Sequence, residues 1–68
     1  MLKPKIPTTI SRLLSGDYFI PEGEDTVYRY HGYDSGWELW TGIDILDGKT
    51  VLFDDMKCVW LPGYEFLY

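Results

Sequence analysis

From residue 17 onward, the sequence alternates between short apolar segments and short turn segments, and no other feature limits the fold as much. Asp47-Gly48 is the clearest turn, because two-residue type I′ hairpins prefer this pair and strand-forming residues flank it. Such short connections join antiparallel neighbours and leave no room for the crossover helices of a parallel sheet. The pattern predicts five strands, over residues 18–20, 26–32, 37–46, 49–54 and 57–61.

Chain length and composition favour a single small all-β domain. The 68 residues include three Trp, six Tyr and three Phe but no Ala, so strand propensity exceeds helix propensity. A five-stranded sheet in so short a chain avoids unpaired edges by closing on itself. We therefore expect a small five-stranded antiparallel barrel over residues 8–68.

The first sixteen residues differ from the rest of the chain. Residues 1–7 contain Lys and Pro and are expected to form a flexible basic lead-in. Ile10, Leu13 and Leu14 form one apolar stripe at helical spacing, which predicts a short helix capped by Thr8 or Thr9. This region holds no apolar run of signal-peptide or membrane-span length, and the single Cys58 excludes an internal disulfide. A cytoplasmic protein is therefore expected.

The register of the predicted hairpin between residues 26 and 46 follows from its apolar faces. In the third strand, Trp37, Leu39 and Ile43 share the face expected to lie in the core, and Trp40 points outward. A four-residue loop over 33–36 then places Arg29 beside Trp40 and His31 beside Glu38. Gly42, inside this strand, is expected to mark a bulge or a sharp bend.

Two short motifs carry a resemblance to known proteins. Gly16-Asp17-Tyr18-Phe19 is followed by Thr26-Val27-Tyr28-Arg29 and by the later Asp-Gly hairpin. Over residues 10–61 this pattern resembles small phage and bacterial proteins that are similar to SH3-like barrels. The resemblance implies an SH3-like fold, and it implies no site and no activity.

Four candidate binding residues lie on the outer face of the predicted hairpin, Trp40, Arg29, His31 and Glu38, and a fifth, Tyr33, lies in its loop. An exposed Trp is typical of binding hot spots, although Arg29 could instead cover Trp40 through a cation–π contact. Catalysis is not expected, because a triad also needs an oxyanion hole and a rigid cleft, which a hairpin tip does not supply. No metal-ligand spacing and no phosphate loop is present, so no cofactor is expected.

Charge separates the possible partners. Residues 1–16 sum to +3 and residues 17–68 to −8, which gives the net charge of −5. An acidic body disfavours binding to nucleic-acid phosphates, including single strands. We expect a non-enzymatic protein-interaction module, with an acidic nucleic-acid mimic that inhibits a nucleic-acid-binding protein as the alternative. The basic arm and the tail over 64–68 either pack on their own domain or join a second copy as a homo-oligomer.

Overall fold

The computed structural model describes residues 3–65, which form one antiparallel sheet of six strands. The chain is all-β as expected, and each predicted strand corresponds to an observed one. The strands are β1 (Ile6–Thr9), β2 (Tyr18–Pro21), β3 (Tyr28–Asp34), β4 (Leu39–Asp44), β5 (Thr50–Phe53) and β6 (Lys57–Trp60). Their order across the sheet is β1-β6-β2-β3-β4-β5, so the sheet is open and β1 and β5 are its edges. The prediction of a five-stranded closed barrel is therefore wrong.

The predicted N-terminal helix is also wrong. Residues 6–9, two of them from the predicted lead-in, form β1 and pair with β6 from Ile6–Trp60 to Thr9–Lys57. Thr9 has extended backbone angles and makes no side-chain cap, and only a three-residue 3₁₀ turn follows, at Ile10–Arg12. The Ile10 amide donates to the Met56 carbonyl at 3.0 Å, and the Ile10 side chain is fully buried. This long-range bond replaces the local bonds of a helix.

Strong curvature lets the open sheet enclose a core. The rings of Phe19 in β2 and Phe53 in β5 have centroids 5.5 Å apart, although β3 and β4 lie between their strands. Tyr28 and Tyr30 of β3 pack on the same Phe19 ring, at 5.8 and 6.5 Å. The core comprises Ile10, Leu13, Phe19, Tyr28, Tyr30, Phe53 and Cys58. The single cysteine, Cys58, is therefore a small residue of the core.

The register between β3 and β4 differs from the predicted one. Tyr33 pairs with Trp40 and Asp34 with Leu39, so the four-residue loop spans residues 35–38, two residues later than expected. A bulge at His31 shifts the register, and beyond it Arg29 pairs with Ile43. The predicted Arg29–Trp40 and His31–Glu38 neighbours are therefore wrong.

The inward face of β4 is the one that the apolar pattern excluded. Residues directly opposite in a sheet share a face, and Gly42 and Trp40 lie opposite the buried Tyr30 and Phe53. Trp40 is half-buried against the core, whereas Trp37, predicted as core, lies in the loop with 72% of its surface exposed. The bulge expected at Gly42 lies instead at His31, on the partner strand β3. Gly42 itself remains paired with Tyr30 and with Val51.

The hairpin between β4 and β5 is longer than a two-residue turn. The Asp44 amide donates to the Lys49 carbonyl at 2.9 Å, so four residues, 45–48, separate the closing pair. Gly48 has φ +75°, which confirms that this position needs a left-handed conformation. The type I′ assignment itself is wrong.

The lead-in and the start of the tail contact each other. The Tyr64 hydroxyl donates to the Lys3 carbonyl at 3.3 Å, and the Lys3 ammonium lies 5.4 Å from the centre of the Tyr64 ring. Residues 66–68 of the tail lie outside the described residues.

Candidate interaction site at the end of the β3–β4 hairpin

The end of the β3–β4 hairpin presents an aromatic pair. Tyr33 and Trp40 oppose each other in the register, with ring centroids 4.9 Å apart and an interplanar angle of 61°. Such edge-to-face packing is favoured by the quadrupoles of the two rings. Trp40 packs on the core cluster, whereas Tyr33 keeps 51% of its surface exposed. Tyr33 is therefore an exposed ring that the domain core holds in place through Trp40.

The loop that closes this hairpin carries a second exposed aromatic residue. One carboxylate oxygen of Asp34 accepts hydrogen bonds from the amides of Gly36 at 2.8 Å and Trp37 at 3.2 Å. This Asx-type contact fixes the loop backbone and presents the Trp37 side chain to solvent. Glu38 completes the loop with φ +56°, a left-handed conformation that costs a non-glycine residue roughly 1–2 kcal/mol. Strain of this kind often accompanies a functional surface.

The bulge beside the aromatic pair has its own supports. Ser15 donates its hydroxyl to the His31 carbonyl at 3.0 Å, and Thr41 donates to the Gly32 carbonyl at 2.8 Å. The carbonyls of both residues at the bulge, His31 and Gly32, thus accept side-chain hydrogen bonds. The extra residue also changes the alternation of β3, which places Tyr33 opposite Trp40. A shallow cleft of about 380 Å³ lies here, lined by His31, Gly32, Tyr33, Asp34, Ser35 and Thr41.

The structure brings together only part of the predicted site. Tyr33 and Trp40 are in contact, and Glu38 lies in the adjoining loop. His31 lies at the bulge with no residue opposite it, and Arg29 lies on the outer face of the sheet, opposite Ile43. Hydrophobic patterning assigned Trp37 to the core and so missed it as a surface residue.

A sequence signal for the exposure of Trp37 does exist. Asp34-Ser35-Gly36 predicts a turn, and the Asp34 carboxylate extends that turn to the amide of Trp37. The four-residue loop begins two residues later than expected, so it includes Trp37 and takes it out of the strand.

Many of the acidic side chains stabilise turns. The sequence has no Asn, and Asp carboxylates accept the turn amide bonds that Asn could otherwise accept. The pairs within turns are Asp17 with Leu14, Asp34 with Gly36 and Trp37, Asp44 with Leu46, and Asp47 with Lys49. Asp55 accepts a long-range bond from the amide of Ser11. These carboxylates hold loops in place, and they account for a large share of the acidic residues without any binding role.

The titratable core groups are not activated for chemistry. Burial, with a smaller contribution from Asp55, raises the pKa of the Cys58 thiol from 9.0 to about 11. A thiol with this pKa is protonated at neutral pH and is a poor nucleophile. Burial also raises the pKa of Tyr28, as does the hydrogen bond of 3.0 Å that its hydroxyl donates to Glu24. Within residues 3–65, no group of three or more His, Cys, Asp or Glu side chains is placed to hold a metal ion.

The part of the chain that the structure describes includes no helix long and apolar enough to cross a membrane. Comparison of the sequence and the structure with protein-family models, with curated proteins and with solved structures gives no significant match.

Proposed function

We propose that this chain is a small non-enzymatic protein-interaction module whose binding site is the hairpin surface, defined here as Tyr33, Trp37, Glu38 and Trp40. The observation that carries the proposal is the exposure of two aromatic side chains, 51% for Tyr33 and 72% for Trp37, on one hairpin end. Trp and Tyr are the residue types most enriched in binding hot spots. Four of the described aromatic residues, Phe19, Tyr28, Tyr30 and Phe53, build the core. Two exposed rings on one hairpin end favour a recognition role instead.

Preorganisation supports the same proposal. The Tyr33 ring rests on Trp40, which is itself anchored on the core, and the Asp34 carboxylate holds the loop backbone that carries Trp37. Rigid aromatic side chains lose little conformational entropy when they bind, because they have only two side-chain torsions. Binding at this surface therefore loses little conformational entropy, so burial of its apolar area contributes more fully to affinity. The adjacent cleft can accept one side chain of the partner.

The partner in this proposal is a protein of the cytoplasm. A single buried cysteine fits a reducing compartment. We also retain the SH3-like relationship as a proposal about the fold, which the curvature of a short-stranded antiparallel sheet around one core supports. The nucleic-acid mimic rests on the net charge of −5 alone, and the carboxylates bonded to turn amides weaken it.

Affinity capture from a lysate of the native host tests the proposal when it compares matched variants. Trp37→Ala removes the most exposed ring of the hairpin surface. Leu46→Ala is the control, because Leu46 is an 87% exposed apolar residue in the other hairpin loop. We expect a protein captured by the wild type and by Leu46→Ala to be lost by Trp37→Ala and weakened by Tyr33→Ala.

The salt dependence of binding distinguishes a protein-interaction module from a nucleic-acid mimic. Binding centred on aromatic rings should be nearly insensitive to ionic strength, whereas a nucleic-acid mimic should release a basic partner steeply as salt rises. If Trp37→Ala and Tyr33→Ala capture the same proteins as the wild type, the hairpin surface is not the binding site.

A further inference from the structure

Glu38, in the loop of the hairpin surface, has a backbone conformation that a glycine adopts at lower cost. Within residues 3–65 it is the only residue other than glycine with a left-handed φ, which is +56°. Four glycines hold such a conformation, with φ from +75° to +97°: Gly16, Gly23, Gly48 and Gly63. A side chain makes this conformation unfavourable. A glutamate at a position better suited to glycine therefore indicates a role for its side chain.

The Glu38 side chain has no role inside the domain. It is exposed, and its carboxylate makes no hydrogen bond and no ion pair with any residue that the structure describes. The other acidic residues between positions 30 and 48 are Asp34, Asp44 and Asp47, and each accepts an amide bond within its own turn. Glu38 therefore carries the one carboxylate of this stretch that no turn uses.

The domain brings no cation to this carboxylate. Residues 30–48 contain neither Lys nor Arg. The guanidinium of Arg29 lies beside Gly16, 3.9 Å from the position that a Cβ would take there. Lys49 follows the other hairpin loop, where its carbonyl bonds to Asp44 at the far end of β4. The negative charge of the hairpin surface is therefore available to a cation from outside the domain.

The exposed rings of the same surface are also suited to a cation. Trp37 directly precedes Glu38 and is 72% exposed, and Tyr33 is 51% exposed. The face of an aromatic ring, above all that of Trp, attracts a cationic group. An arginine guanidinium is planar, so it can stack on a ring while its fork of N–H groups donates to a carboxylate. A lysine ammonium is a point charge and has no plane to stack.

We propose that the hairpin surface recognises an arginine side chain of its protein partner. The guanidinium packs on the Trp37 ring and donates hydrogen bonds to the Glu38 carboxylate. This recognition rests on the proposed function, since it uses the same hairpin surface. Trp37 then supplies most of the affinity, and Glu38 determines specificity. A single exposed charge pair changes affinity only slightly with salt, in keeping with binding centred on aromatic rings.

Selection from a phage-displayed library of random heptapeptides tests this proposal with a defined probe. The library is selected on the wild-type chain, on Trp37→Ala and on the control Leu46→Ala. We expect the wild type and Leu46→Ala to select peptides that share an arginine at one position, and Trp37→Ala to select none of them. One such peptide is synthesised with arginine and with citrulline, its neutral isostere. The citrulline peptide should bind about tenfold more weakly in calorimetry.

Two substitutions of Glu38 separate its charge from its backbone conformation. Glu38→Gln removes the charge and keeps a side chain at the left-handed position, whereas Glu38→Gly removes both. Each variant should bind the arginine peptide about tenfold more weakly than the wild type does, and the citrulline peptide equally well. Thermal melting should show that Glu38→Gly is no less stable than the wild type. A side chain that only supported the loop would give the opposite result, a loss of stability with unchanged binding.

Trp37→Ala and Glu38→Gln distinguish failure of the proposed function from failure of arginine recognition. If Trp37→Ala selects the same peptides as the wild type, the hairpin surface is not the binding site and both proposals are wrong. If selection depends on Trp37 but the peptides share no arginine, only arginine recognition is wrong. Wild-type affinity of Glu38→Gln for the arginine peptide would overturn it as well. A library that yields no peptide specific to the wild type would overturn both proposals.

Discussion

The ring of Phe19 occupies the space that a side chain at position 42 would fill. An ideal Cβ on Gly42 would lie 3.1 Å from Cζ of Phe19 and 3.0 Å from Cε2 of Phe53. Gly42 therefore lets β4 approach the two rings closely, and its role is steric, because its backbone has no left-handed conformation. The curvature of the sheet and the packing of its aromatic core depend on this contact.

Substitution of Gly42 tests that relationship. We expect Gly42→Ala to destabilise the domain by about 1–3 kcal/mol, as overpacking of a close-packed core does. Chemical denaturation measures the loss. Gly23→Ala is the control, since Gly23 has φ +84° and open space around it and so reports backbone strain alone. A gain in stability for Gly42→Ala would contradict the steric account.

Truncation of Trp40 should destabilise the domain more than truncation of Trp37. Hydrophobic patterning of the sequence predicts the reverse order. Trp40→Ala should cost about 2 kcal/mol or more, because the ring packs on the core and on Tyr33. Trp37→Ala should change the free energy of unfolding by about 0.5 kcal/mol or less, as most exposed positions do. Thermal melting of both variants gives the comparison. A larger loss of stability for Trp37→Ala than for Trp40→Ala would mean that Trp37 packs in the core.

The hydroxyl of Thr41 should support the bulge in β3. Thr41→Val keeps the shape of the side chain but leaves the Gly32 carbonyl without its 2.8 Å partner, which should cost about 1–3 kcal/mol. Thr41→Ser retains the hydroxyl and should lose less. Denaturation midpoints measure the order of stability, and equal losses in the two variants would show that the hydrogen bond does not matter.

Stability should fall in alkaline solution. The pKa of the buried Cys58 thiol is raised from 9.0 to about 11, so the unfolded chain releases this proton at a lower pH than the folded one. The contribution of the thiol is fully present below pH 9 and is lost as pH rises from 9 to 11, by at most about 1.4 kcal/mol per pH unit. The raised pKa of Tyr28 and of Tyr30 adds to the loss above pH 10.

A variant without the thiol isolates the contribution of Cys58 to the pH dependence of stability. In Cys58→Ala, the free energy of unfolding should decline less steeply between pH 9 and pH 10 than in the wild type, whatever its absolute stability. Denaturation curves at intervals across this range measure both slopes. Parallel slopes would mean that the thiol ionises equally easily in the folded chain.

Local sequence signals located the strands of this protein. The runs of aromatic and β-branched residues between turn residues correspond to β2–β6, and Gly48 has the left-handed conformation that its turn position predicts. These features depend on backbone propensities and turn chemistry, which neighbouring residues determine. The inward orientation of Tyr28 and Tyr30 also follows from alternation along β3.

Tertiary structure decided the face of β4, the fate of the N-terminal segment and the exposure of Trp37. The alternation of Leu39, Thr41 and Ile43 predicts that their face lies in the core. The large Phe19 ring, however, packs where a side chain at position 42 would lie, so the face that contains Gly42 points inward. Residues 6–9 form a strand and not a helix, because β6, which lies 48 to 54 residues later in the chain, supplies their hydrogen-bond partners. Such choices depend on the volume and bonding of residues distant in sequence, which local periodicity does not contain.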